Sequence, residues 1–143
     1  MNCRVEHPLP TDTIVESSSI EAMYVAGDGT EPIPVQAPKV FQELEASLPT
    51  LRGRKFYGLI EDGEYRACVE LNAGHDPSTL PFPTLTIPGG RYVHRRMPDW
   101  EKHPDAIGEA VDELCARSDY DPSRPVIEFY RSHSELVIWV PVR

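Results

Sequence analysis

The sequence predicts an α+β fold built from a duplicated β-α-β-β unit, and three observations predict it. Apolar residues recur at helical spacing in two places and form several short extended runs. These stretches follow the order strand, helix, hairpin, and the order then repeats. The 15 prolines cluster between them, at loops and element starts. Helices after single strands, with hairpins between, give a mostly antiparallel sheet with two main helices on one side. Two halves related by a pseudo-twofold axis leave a groove where they meet, a usual place for a pocket.

Residues 1–18 are polar and read as an irregular segment. Residues 20–26 read as a strand closed by Gly27-Asp28-Gly29, followed by a proline-rich loop. Ala37, Val40, Phe41, Leu44 and Leu48 form the apolar stripe of a helix that Pro49 stops. Residues 56–60 and 65–71 are the arms of a hairpin around Asp62-Gly63. Residues 72–82 form a loop, and residues 84–87 and 91–95 are extended around Pro88-Gly89-Gly90. Pro104 opens a second helix with Ile107, Ala110, Val111 and Leu114 on one face. Residues 126–130 and 135–142 form the closing hairpin.

At an offset of 70 positions Arg54 falls on Arg124, Phe41 on Val111 and Leu44 on Leu114. The same offset sets Phe56 on Val126, Leu59 on Phe129 and Val69 on Trp139. An offset of 68 sets Tyr24 on Tyr92.

A chain of 143 residues is the size of one domain, here taken as 1–143. Its net charge of −9 repels phosphate backbones, so direct nucleic-acid binding is not expected. No stretch approaches the roughly 20 apolar residues of a membrane helix. The N-terminal residues lack the apolar core of a signal peptide, so the expected location is cytoplasmic. Cys3, Cys68 and Cys115 are too widely spaced for a disulfide framework or a metal knuckle and read as reduced, packed thiols.

Phosphate-binding glycine loops and the zinc-protease motif are absent from the sequence. The five histidines, His7, His75, His94, His103 and His133, are scattered without metal-ligand spacing, so no metal or cofactor is expected. His75-Asp76 reads as a solvated loop pair. Arg91, His94, Arg95 and Arg96 read as a strand end balanced by nearby acids.

Glu128 is the residue that needs an explanation. It interrupts the apolar strand Val126-Ile127-Glu128-Phe129-Tyr130, whose alternation groups Val126, Glu128 and Tyr130 on one face. Buried unpaired, a carboxylate costs several kcal/mol and its pKa rises. Such a group suits pairing with a cationic ligand between aromatic rings, or acid–base chemistry in a dry pocket. A solvent-facing glutamate, or one paired with Arg91 or Arg131, is the structural alternative. The strand tyrosines Tyr24, Tyr57, Tyr92 and Tyr130 need hydroxyl partners and lean toward a partly wet cavity.

Three segments occur in order: Ile87-Pro88-Gly89-Gly90-Arg91-Tyr92, Glu128-Phe129-Tyr130 and Ile138-Trp139-Val140-Pro141-Val142. This series resembles the GyrI-like small-molecule-binding domain, the effector-binding module of AraC-type and MerR-type multidrug regulators, which also occurs as stand-alone proteins. The resemblance spans roughly residues 20–143. It implies a groove between two β-α-β-β halves, with Glu128 in the pocket facing lipophilic or cationic aromatic ligands and Tyr130 and Tyr92 beside it. Trp139 and Tyr24 join them as ligand-binding candidates on their positions in strands. An irregular segment of eighteen residues cannot hold a helix-turn-helix, so the expectation is a stand-alone member.

Three functions follow from the resemblance. The first is a small-molecule-binding protein that senses or sequesters its ligand. The second is a hydrolase that opens strained cyclopropane rings of alkylating natural products, with Glu128 as its catalytic residue. The third is a protein-interaction module, such as an inhibitor of DNA gyrase.

Overall fold

A computed structural model describes residues 12–72, 77–132 and 134–143. The first half holds β1 (Thr13–Ser17), β2 (Ile20–Ala26), α1 (Ile33–Ala46), β3 (Phe56–Glu61) and β4 (Glu64–Glu70). The second holds β5 (Thr84–Ile87), β6 (Gly90–Pro98), α2 (Pro104–Cys115), β7 (Val126–Tyr130) and β8 (Glu135–Pro141). All eight strands join one antiparallel, curled sheet in the order β1-β6-β8-β7-β3-β4-β2-β5.

That order is unchanged when the halves are exchanged and the sheet is read backwards. The pseudo-twofold axis therefore passes between β3 and β7, where Gly58 pairs with Glu128. The repeat is one strand longer than expected. β1 precedes β2 in the chain yet pairs with β6, and β5 precedes β6 yet pairs with β2. Each half thus lends its first strand to the other. The segment 1–18, read as irregular, holds β1 over Thr13–Ser17, while residues 1–11 lie outside the described residues. Its partner strand lies some 80 positions along the chain and, among the described residues, only one of its edges is paired, so no local pattern announces it.

Both helices lie on one face of the sheet. Val40 and Leu44 of α1 pack on Met23, Val25, Ala67 and Val69, and Ala110 and Leu114 of α2 pack on Val93, Leu136, Ile138 and Val140. The opposite face carries its own cluster around Tyr57, Leu59, Cys68, Tyr92, Ile127 and Trp139. Helix α1 starts earlier than its apolar stripe suggested, because Pro34 sits in the first turn, where a missing N–H is harmless. It ends at Ala46, before the expected Leu48, and the Ser47 hydroxyl caps it by donating to Leu44 O at 2.7 Å.

The offset of 70 holds for β3 and β7, but the second hairpin has one more residue in its turn. Tyr57 pairs with Cys68 and Ile127 with Trp139, so Trp139 corresponds to Cys68 rather than to Val69. With a side-chain period of two, that one residue moves Trp139 to the face away from the helices. In the same way Ala22 corresponds to Tyr92, and Tyr24 to His94.

Candidate functional site

The two helices stand apart over the centre of the sheet and leave a cavity of about 970 Å³ between them. That volume suits a drug-sized organic molecule. Its walls are apolar and aromatic, with Phe41 from α1, Val111 from α2, and Phe56, Tyr65, Trp100 and Tyr130 around the floor. The rings meet edge to face: Phe41 lies 5.1 Å from Tyr130 and 5.9 Å from Tyr65, and Trp100 lies 5.6 Å from Tyr130, centroid to centroid. Glu45 and Asp112, one from each helix, and Arg54 and Arg131 are among its charged lining residues.

Glu128 sits in this floor and is only 5% exposed. Its Oε1 accepts hydrogen bonds from the hydroxyls of Tyr65 and Tyr130, each at 2.7 Å. Each phenol has one proton, and both can be given to this oxygen. Its Oε2 has no hydrogen bond among the described residues, and neither Arg91 nor Arg131 pairs with it there. Burial pushes the Glu128 carboxyl above the usual carboxylate range, and the two hydroxyls only partly oppose this. Tyr65 and Tyr130 are pushed up as well, by burial first and then by the adjacent carboxylate, so both stay protonated donors.

Tyr65 reaches Glu128 because of Gly58. Glu128 pairs with Gly58 from β7, while Tyr65 pairs with Ile60 from β4, is fully buried and reaches over Gly58. A Cβ on Gly58 would stand 1.9 Å from the Tyr65 hydroxyl and 3.1 Å from Glu128 Oε1. Glycine therefore leaves the space that the phenol occupies. Gln36 holds the same hairpin from the helix side. Its amide donates to Glu31 O at 2.6 Å and Gly63 O at 3.0 Å, and its carbonyl accepts from Tyr65 N at 3.1 Å. The first turn of α1 is thus tied to the strand that carries Tyr65.

Of the five ligand-binding candidates, the structure brings Glu128 and Tyr130 together at the cavity. Tyr92, Trp139 and Tyr24 lie on the opposite face of the sheet. Tyr92 donates to Pro88 O at 2.5 Å and lies under the Arg124 guanidinium, 4.7 Å from the ring centroid. It closes the corner between β5 and β6, where Gly90 adopts a positive φ of 128°. Tyr24 lies under Arg66, at 5.7 Å. Tyr65 and Phe41 line the cavity and Gln36 braces the hairpin beside it, and sequence reasoning named none of the three as a candidate. A glycine inside the apolar run Phe56-Tyr57-Gly58-Leu59-Ile60 was the available signal, because strand glycines often mark a close approach.

No cluster of metal-ligating side chains occurs among the described residues, and His75-Asp76 lies outside them. Cys68 and Cys115 are free, and burial pushes the Cys68 thiol up to about 12, which keeps it inert at neutral pH. No described helix is long and apolar enough to cross a membrane.

No protein-family model matches the chain, and no curated protein sequence does either. Solved structures do share its fold. The integron cassette protein VCH_CASS2 from the mobile metagenome of Vibrio cholerae superposes with a TM-score of 0.70 at 17% identity, over 92% of this chain and 95% of that one. SAV2435 bound to tetraphenylphosphonium gives 0.59 at 14% identity, over 93% and 94%. A hydrolase from Listeria innocua gives 0.57 at 12% identity, over 96% and 94%. The chain is therefore similar in fold to proteins of this kind, one of which holds a lipophilic organic cation.

Proposed function

We propose that this chain is a GyrI-like small-molecule-binding protein that senses or sequesters a lipophilic aromatic cation in the cavity between α1 and α2. One observation carries this reading: a carboxylate with no cationic partner among the described residues lies at the floor of an aromatic cavity of about 970 Å³. A buried charge of this kind is unfavourable until a cation enters beside it. Ring faces around the cation add attraction, and the two phenols keep the carboxylate in place from behind. The fold shared with SAV2435 bound to tetraphenylphosphonium supports the same reading.

The test compares tetraphenylphosphonium with triphenylphosphine oxide, a neutral molecule of similar shape, by calorimetric titration across pH. A proton and the cation compete for Glu128, whose pKa is raised in the free protein. Cation affinity should rise with pH until Glu128 is ionised and fall about tenfold per pH unit below its raised pKa. The neutral ligand should show no such slope. Equal affinity for both ligands, with no pH dependence for either, would sink the proposal.

A second prediction separates this cavity from the other candidates. Tyr92→Phe removes the bond to Pro88 and should cost about 1 kcal/mol of stability. Cation affinity should change less than twofold, because Tyr92 lies across the sheet from Glu128. Calorimetry on the variant checks this.

The hydrolase reading keeps one specific observation: Glu128 Oε2 has no hydrogen bond among the described residues and lies beside two phenols, an arrangement able to activate water. Recovery of the ligand chemically intact after prolonged incubation separates the binder from the enzyme.

A further inference from the structure

The helix-free face has a cavity of its own, of about 290 Å³, between β1, β6, β7 and β8. Trp139 and His94 form its aromatic wall, stacked at 4.5 Å with 8° between their planes, and Phe129 adjoins them. Trp139 is 9% exposed. The indole Nε1 and the imidazole Nε2 are buried, and neither has a hydrogen-bond partner among the described residues. A buried donor left unpaired costs about 1–3 kcal/mol, so an acceptor brought to it is favoured.

The charge of this cavity is opposite to that of the first. Arg96 and Arg131 both line it, and among the described residues no carboxylate does. The two guanidiniums share the single carboxylate of Glu135, which bonds Arg96 closely and Arg131 at 3.6 Å. Among the described residues one positive charge is left in excess at the rim, in a chain whose net charge is −9. Burial pushes the His94 imidazole down to about 4, so the stacked wall is neutral at physiological pH.

We infer that this cavity is a second binding site, selective for a small planar aromatic carboxylate whose ring lies against the Trp139–His94 wall and whose charge faces Arg96 and Arg131. The pseudo-twofold counterpart lacks these features, because Cys68 and Tyr24 stand where Trp139 and His94 do. The site therefore has no second copy at the pseudo-twofold position. It is independent of the cation reading, with its own residues except Arg131, which lines both cavities.

The chain has two tryptophans, and each cavity holds one. Nitrogen-15 NMR of the full chain gives two indole N–H signals, which Trp100→Phe assigns. Benzoate is the probe, with benzamide and benzylamine as neutral and cationic controls. Benzoate should shift the Trp139 signal to saturation and leave the Trp100 signal in place. Benzamide should bind at least fivefold more weakly, and benzylamine should leave the Trp139 signal unmoved. Arg96→Gln, at an exposed side chain remote from Glu128, should weaken benzoate at least fivefold. An unmoved Trp139 signal, an equal response to benzylamine, or unchanged affinity in Arg96→Gln would overturn the inference.

Discussion

Glu128→Gln should make the ligand-free protein more stable at neutral pH while weakening tetraphenylphosphonium by roughly thirtyfold. The binding loss corresponds to about 2 kcal/mol, the lower end for removing one member of a buried charge pair. The stability gain has the opposite sign because the carboxylate is desolvated in the empty cavity. Its pKa is raised above that of the unfolded chain. Such a group contributes its full stability below the unfolded pKa and loses it as pH rises through the folded pKa. Glutamine carries no charge and can still accept from Tyr65 and Tyr130. The melting temperatures of wild type and variant should therefore converge near pH 4 and separate above it, with the variant higher. A domain of this size shifts by roughly 3–5 °C per kcal/mol, so thermal denaturation across pH resolves the effect. A variant less stable than wild type at pH 8 would show that Glu128 is not desolvated.

The second large effect is expected at Gly58. A methyl group there meets the Tyr65 hydroxyl at 1.9 Å and its ring carbon Cζ at 2.5 Å. Gly58 lies in β3, paired on both sides, so its backbone has little freedom to move away. Tyr65 must leave its place and lose its bond to Glu128. Overpacking and the lost hydrogen bonds together cost about 2–4 kcal/mol. Gly58→Ala should lower the melting temperature by roughly 6–20 °C and abolish cation binding, as the displaced phenol enters the cavity. In a Tyr65→Leu background the same substitution should cost less than about 1 kcal/mol, because the colliding ring is gone. Chemical denaturation of the four proteins of this cycle measures the coupling. Equal cost in both backgrounds would mean that Gly58 serves the strand and not the phenol.

The site itself was partly legible in the chain. A carboxylate in an apolar strand is chemically conspicuous, and strand alternation already grouped Glu128 with Tyr130. Tyr65 was not legible, because it meets Glu128 across 63 positions and over a glycine of a third strand. The match of Trp139 with Val69 failed for a different reason. Matching the halves at one offset ignored the longer second turn, and a shift of one residue in a strand exchanges its faces.

Local physics determined the helices, the hairpins and their repeated order. Ala37, Val40, Phe41 and Leu44 and, later, Ile107, Ala110, Val111 and Leu114 form stripes that must be buried, and each does pack on the sheet. Composition also set the acidic surface. Only the tertiary structure decided that β1 and β5 cross between halves, since an edge strand's partner is chosen by long-range pairing and not by its own residues. Only the tertiary structure placed Glu128 beside the pseudo-twofold axis, opposite the glycine that makes room for Tyr65. The reason is the same in both cases. Periodicity records which face of an element is buried, whereas the neighbour it meets there is fixed by pairings between distant parts of the chain.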